Sequence, residues 1–420
     1  MAKIKIGLIG LGTVGSGVFK TLKNFDSVEI VQIAVRNKTK RRNIEGLNDK
    51  IITDNPFDVV NNPEIDIVVE LMGGVNPTRE LVTTALRNGK HVVTANKELL
   101  AKFGEEIFTL AENQNRVVLY EAAVAGGIPI IMPVKTILAG NKINKIMAIL
   151  NGTTNYILTK MDVDGQSYAD VLAEAQKLGY AEADPTSDVE GFDSAYKLAI
   201  LSSISFKNRI DIDKVYKEGI SKIRPLDIKE ANNLGYKIKL VALAQMLDND
   251  GVDVRVHPML IPQDSMLAHI AYVKNAVILQ GTPMGSIALS GAGAGEFPTA
   301  SSVVGDILAI AEELDKTEFP LPMMRCKHEG NAKMLDILET ENKYYLSLNV
   351  KNEKGVIGRL GVICANNNIS LASLVQHRVE ENNTADITVI TEMVLEKNIR
   401  KAVSELESEG IKVANLIRVL

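Results

Sequence analysis

Residues Lys3 to Ile9 form a short apolar run. Gly10, Gly12 and Gly15 follow it directly in the spacing G-x-G-x-x-G, and a helical pattern then runs from Val14 to Leu22. This order constrains the fold more than any other feature of the chain. Gly10 permits a tight turn, Gly12 lets backbone approach a pyrophosphate, and Gly15 lets the helix pack closely on its strand. The first helical turn, with Thr13 and Val14, then offers free N–H groups to an anion. A lone glycine pattern is weak evidence, but the strand–turn–helix context makes it a dinucleotide-binding signature.

The residues that follow repeat the strand–helix alternation. Val28–Val35, Ile65–Glu70, His91–Thr94 and Arg116–Tyr120 read as strands, and 77–86 and 98–112 as helices. Such alternation predicts a doubly wound parallel sheet, a Rossmann domain over residues 1–130. A site for NAD(H) places a carboxylate about 20 residues past the glycines to hold the ribose 2′-hydroxyl. Here the second strand ends in Val35, Arg36, Asn37 and Lys38. An arginine in that place favours a 2′-phosphate, hence NADP(H) over NAD(H).

Residues 131–315 read as an α+β domain for substrate binding, catalysis and dimerisation. Its last helix, 299–315, is assigned back to the first domain. Residues 316–342 carry Pro320, Pro322 and many charges, and read as a linker. The tail, 343–420, reads strand–helix–strand–strand–helix–strand, a ferredoxin-like order. Its second strand is expected over Ile369–His377.

Composition excludes several function classes. The net charge of −5 and the absence of an extended basic stripe argue against nucleic acid. The two cysteines, Cys326 and Cys364, cannot form a disulfide framework, and the five histidines lack zinc-ligand spacing. No apolar run reaches the roughly 18 residues of a membrane span. The first strand starts at once, so no targeting leader is expected and the cytoplasm is the default location.

Several segments together resemble homoserine dehydrogenases. They are Gly10–Gly15, Ala95-Asn96-Lys97, Glu121–Pro129 (EAAVAGGIP), Leu150–Tyr156 (LNGTTNY), Gly179–Lys197 (GYAEADPTSDVEGFDSAYK) and Gly291–Gly295 (GAGAG). The tail, with Gly355, Leu360 and Ile369-Ser370, resembles an ACT domain. The resemblance implies interconversion of aspartate 4-semialdehyde and homoserine. It makes Lys197 the proton donor to the carbonyl oxygen, Asp193 the carboxylate that orients this lysine or positions a water, and Lys97 a second cation near the nicotinamide. Asp193 and Lys197 sit at i, i+4 and share a helix face; taken alone, such a pair is more often a surface ion pair, and the resemblance reverses that weighting.

The resemblance also implies further site residues. Glu182 and Asp188 would bind the substrate ammonium, and Gly152, Thr153 and Tyr180 would line the same pocket. Thr94, Asn96 and Gly295 would touch the cofactor. Glu121, Val124, Gly126 and Ile128 would hold a structural monovalent cation such as Na⁺, mostly through main-chain carbonyls, unless Glu121 merely caps a helix start. Asn366, Asn368 and Ile369 would bind threonine as a feedback effector, and the chain would assemble as a homodimer or homotetramer. A non-catalytic sensor of dinucleotide and amino acid would need none of Lys97, Asp193 and Lys197. A phosphorylating semialdehyde dehydrogenase would need a nucleophilic cysteine, and Cys326 and Cys364 lie outside the matched catalytic segments.

Overall fold

The computed structural model describes residues 3–248, 251–314, 324–326, 328, 330–376 and 383–420. The chain divides into two compact units, one of residues 1–146, 193–213 and 273–332, the other of 147–192, 214–272 and 333–420.

The first unit opens with β1 (Ile4–Ile9), α1 (Thr13–Leu22), β2 (Val28–Ala34), β3 (Ile52–Thr53), α2 (Pro56–Asn61) and β4 (Ile67–Glu70). It continues with α3 (Thr78–Arg87), β5 (His91–Thr94), α4 (Lys97–Asn113), β6 (Val118–Leu119), α5 (Ile131–Lys135) and β7 (Lys142–Ile149), whose end passes into the second unit. The six-stranded parallel sheet has the order β3-β2-β1-β4-β5-β6, as the glycine signature demands. Alternate residues face opposite sides because the strand period is two. Ile67 and Val69 of β4 therefore join one core with Val18 and Phe19 of α1. Val68 joins the other with Leu81 and Leu86 of α3.

The chain returns to this unit in three elements: α9 (Phe192–Phe206, from its second residue on), the hairpin β11 (Lys274–Thr282) and β12 (Gly285–Ala292), and α11 (Glu296–Glu313). Helix α11 lies against α1. A side-chain carbon at Gly17 would sit 2.6 Å from the Glu296 carbonyl, and Lys20 pairs with Glu296 at 2.7 Å. Strand β12 is absent from the sequence reading, because GSIALSGA is rich in small residues and its side chains lie near the surface.

The second unit holds α6 (Gly152–Asp164), α7 (Tyr168–Lys177), α8 (Thr186–Val189), β8 (Tyr216–Lys217), α10 (Pro225–Asn233), β9 (Tyr236–Met246) and β10 (Gly251–Pro262). Its C-terminal part holds β13 (Lys333–Met334), β14 (Glu341–Lys351), α12 (Val356–Asn366), β15 (Leu371–Gln376), β16 (Thr384–Thr391), β17 (Val394–Leu395), α13 (Glu396–Ser408) and β18 (Lys412–Val419). Strands β18-β14-β16-β15 form the expected ferredoxin-like sheet. His377, assigned to the second strand of that fold, lies outside the described residues.

Two boundaries differ from the sequence reading. Strand β13 pairs with β10 through Gly251 and Val252, so the last part of the expected linker is docked. Strand β18 also pairs with β10, with Met259 opposite Arg418 and Leu260 opposite Val419. The C-terminal fold thus extends the strands of β9 and β10 and is not a separate appendage. Nothing in local sequence encodes such a long-range pairing.

His91 on β5 gives the Rossmann sheet an acid limit. Burial, with a smaller contribution from Arg116, lowers its pKa to about 3, and its Nδ1 accepts the Val117 N–H at 3.1 Å. The unfolded chain binds this proton first, so His91 costs stability as pH falls from about 6.5 toward 3. His91→Gln, which keeps an acceptor for Val117, is expected to flatten the pH dependence of unfolding free energy in that window by a few kcal/mol. Urea titrations of both proteins between those limits check it.

Candidate active site

The glycine turn has the shape a dinucleotide needs. Gly10 has φ of 103°, and a side-chain carbon on it would lie 2.8 Å from the Leu71 backbone. At Gly15 the added carbon would be 2.1 Å from the Gly10 carbonyl oxygen. At Gly12 it would meet no atom within 4 Å, so that glycine leaves open space in front of the first turn of α1. No side chain caps that turn. These features fit a bound pyrophosphate. Gly10 N–H bonds the Ala34 carbonyl at the end of β2, which sets exposed Arg36 just beyond the turn.

The register aligns Ile9 with Ala34 and Glu70, and Glu70 with Thr94. The carboxyl ends of four strands thus form one edge, where ligands bind in open α/β sheets. A hollow of about 160 Å³ lies there, lined by Val14, Glu70, Gly74, Asn96 and Lys97 among others. Asn96 caps α4 by accepting the Leu99 N–H and donates to the Gly74 carbonyl at 2.6 Å.

Glu70 escaped the sequence reading. It is fully buried, accepts the N–H groups of Met72 and Gly73, and accepts the Thr94 hydroxyl at 2.6 Å. Burial pushes its carboxyl up, and these hydrogen bonds oppose that shift. One carboxyl group so ties together the loops that line the hollow. Its signal was available: a glutamate closes an otherwise apolar strand, IVVE, with two residues between it and the glycine pair Gly73-Gly74.

The two candidate lysines share one carboxylate. On α9, Lys197 Nζ lies 2.6 Å from Asp193 Oδ2. On α4, Lys97 Nζ lies 3.4 Å from Asp193 Oδ1. The Asp193 side chain is 6% exposed and that of Lys197 13%, whereas Lys97 is 42% exposed. The Asp193–Lys197 pair is therefore interior, which removes the surface ion-pair reading. Lys97 belongs both to this cluster and to the hollow at the glycine turn.

Within the second unit, Asn151 and Thr153 gather around Asp188. Asn151 Nδ2 donates to Asp188 Oδ1 at 2.7 Å, and Thr153 Oγ1 stands 3.1 Å from Asp188 Oδ2 and 2.7 Å from the Tyr180 carbonyl. Asn151 also caps α6, which starts at Gly152. Helix α6 shows no amphipathic period because it is buried on almost every side. Tyr180 is half-exposed and its ring packs on Tyr156, with centroids 4.9 Å apart. Glu182 is exposed, and its carbonyl accepts the Gln176 side-chain amide at 3.1 Å.

The Glu121 side chain serves the fold directly. Glu121 Oε1 accepts the N–H groups of Ile130 and Ile131, and Oε2 that of Met132. The carboxylate is thus spent on the start of α5, the helix-cap alternative. The Gly126 carbonyl accepts the Ser302 hydroxyl at 2.7 Å. The expected cation ligands are mainly main-chain carbonyls, each with two lone pairs, so the capping role of the Glu121 carboxylate does not bear on them. Gly126 permits close packing, since a side-chain carbon there would lie 2.2 Å from the Gly293 carbonyl. Gly295, with φ of 130°, then starts α11. Among the described residues no group of three or more His, Cys, Asp or Glu could hold a metal.

The C-terminal fold contains its own hollow of about 180 Å³, lined by residues including Asn352, Gly355, Gly358 and Gln376. It lies at the start of α12. Asn366, Asn368 and Ile369 lie at the other end of that helix. The Ile369 side chain is buried in the domain core, 6% exposed, between exposed Asn368 and Ser370. No helix among the described residues is long and apolar enough to cross a membrane.

Comparison with known proteins agrees with this geometry. Family models described as homoserine dehydrogenase, its NAD-binding domain and the ACT domain match residues 129–308, 10–121 and 344–410. A homoserine dehydrogenase of Pseudomonas aeruginosa is 42% identical, covering 98% of this chain and 97% of that protein. One of Neisseria gonorrhoeae is 41% identical over 97% of this chain and 96% of its own length. The crystal structure of a homoserine dehydrogenase from Thiobacillus denitrificans superposes with a TM-score of 0.92 at 41% identity, covering 100% of this chain and 99% of that one. A hyperthermophilic archaeal homoserine dehydrogenase in complex with NADPH covers 74% of this chain and 98% of its own, with a TM-score of 0.64 at 27% identity.

Proposed function

Because the chain belongs to the homoserine dehydrogenase family, we propose that it reduces aspartate 4-semialdehyde reversibly to homoserine with Lys197 as the proton donor. A reduced nicotinamide held at the glycine turn supplies the hydride. As the aldehyde carbon is reduced, its oxygen gains negative charge and needs a proton. Lys197 gives that proton, and Asp193 keeps the ammonium aimed. Lys97 adds a second positive charge beside the developing alkoxide. In the reverse direction Lys197 takes the hydroxyl proton. Asp188, with Thr153 beside it, accepts the substrate ammonium. The observation that carries this reading is the pair of lysines on one buried aspartate, with one of them lining the hollow at the glycine turn.

The finer proposals concern the cofactor and control. Arg36 selects the 2′-phosphate of NADP(H). Arg36→Ala is expected to raise KM for the phosphorylated cofactor by about tenfold, the scale of one lost charge-assisted hydrogen bond, and to leave NAD(H) nearly unaffected. Threonine binds the hollow at the start of α12 and lowers activity. Because β18 pairs with β10, truncation is a poor test of that control. Asn352→Ala and Gln376→Ala are preferable, and each should shift half-inhibition by threonine about tenfold with uninhibited rates unchanged. Absorbance of the reduced nicotinamide, followed with homoserine, each cofactor and threonine in turn, tests all three points. No turnover of homoserine with either cofactor would defeat the reading.

A further inference from the structure

We propose that Glu218 and Arg418 are positioning residues for Asp188, so that the last strand of the C-terminal fold helps shape the substrate site. The inference rests on Asp188 binding the substrate ammonium.

Asp188 belongs to α8, a helix of only four residues, too short to hold itself. Its support comes from the segment after β8. Ile220 N–H donates to the Val189 carbonyl at 2.9 Å. A side-chain carbon at Gly219 would lie 2.4 Å from the same oxygen and 2.6 Å from Glu190 Cα. The backbones are in direct contact, and only glycine permits it. From the other side of the turn, the corresponding carbon at Gly191 would lie 3.6 Å from the Glu218 carbonyl. The turn that carries Asp188 leans on residues 218–220.

That segment is in turn fastened to the C-terminal strands. Arg418, 1% exposed, reaches Glu218 Oε2 with Nη1 at 3.1 Å while its Nε and Nη2 grip Glu396 at 2.9 and 2.6 Å. Tyr216 donates to the same Glu218 oxygen at 2.9 Å. Asn415 Nδ2 donates to the Lys222 carbonyl at 3.1 Å, and Arg224 donates to Ser347 Oγ at 2.6 Å. Three separate ties from β14 and β18 therefore hold residues 218–224. A burial this complete would favour an apolar side chain at position 418 if stability alone were served. The guanidinium instead spends its fork on two carboxylates from different segments.

The test compares Glu218→Ala, Glu218→Gln, Gly219→Ala and Asp188→Asn in the full chain. Glu218→Ala and Gly219→Ala should each raise KM for homoserine about tenfold, with KM for cofactor unchanged and kcat within about twofold. Glu218→Gln, still able to accept from Tyr216, should recover part of the loss. Amide hydrogen exchange in residues 186–191 should quicken in both damaging variants. Arg418→Lys is the companion at the other end of the tie, chosen because a neutral residue would strand Glu396. Lower melting temperatures with an unchanged KM for homoserine, or unchanged exchange at 186–191, would overturn the proposal. Asp188→Asn separates the two ideas. If it alone raises KM for homoserine, Asp188 binds substrate but is not positioned this way; if it has no effect, both readings fall.

Discussion

Lys197→Ala is expected to lower kcat by about a hundredfold or more while KM for cofactor stays near that of the wild type. The side chain lies inside the unit, hydrogen-bonded to Asp193, whose other oxygen meets Lys97 beside the glycine turn. Its loss removes the proton source and leaves the turn intact. Asp193→Ala should cost a comparable factor, because two lysines then lose the carboxylate that holds them. The double variant should be little worse than either single one, as expected for residues that act together. Steady-state rates for the three variants check this. A Lys197→Ala enzyme of normal kcat would remove the assignment.

The second large effect concerns the glycine turn, where two substitutions separate folding from binding. Gly15→Ala drives a carbon into the Gly10 carbonyl at 2.1 Å, a backbone clash that no rotamer relieves. The turn must open, so stability should fall by about 1–3 kcal/mol. KM for cofactor should rise about a hundredfold, since several N–H groups lose their phosphate together. Gly12→Ala meets no protein atom within 4 Å, and its backbone, with φ of −84°, suits alanine. Its melting temperature without cofactor should match the wild type, while KM for cofactor rises steeply. Melting curves with and without cofactor, beside kinetics, read both. Equal destabilisation by the two substitutions would show that Gly12 serves only the fold.

The sequence made local features legible and long-range ones opaque. The glycine turn, the parallel strands and the βαββαβ tail were readable because period and turn chemistry are local. Asp193 and Lys197 were visible only as an i, i+4 pair, and family resemblance supplied their weight. Burial of that pair, and the reach of Lys97 to the same carboxylate, arise from α9 packing inside the unit that holds the sheet. Helix α6 was missed because it lacks an exposed face, and β12 because small residues hide its alternation. Arg418 lies in a terminal strand with no motif around it. Its burial follows from β18 pairing with β10, which no local pattern announces.

The most direct measurement is the mass of homoserine formed from aspartate 4-semialdehyde when the reduced nicotinamide carries deuterium at its transferable position. The wild-type chain should yield homoserine carrying that deuterium, and Lys197→Ala should yield almost no product in the same time. Unlabelled homoserine, or labelled homoserine formed at the wild-type rate by Lys197→Ala, would contradict the account.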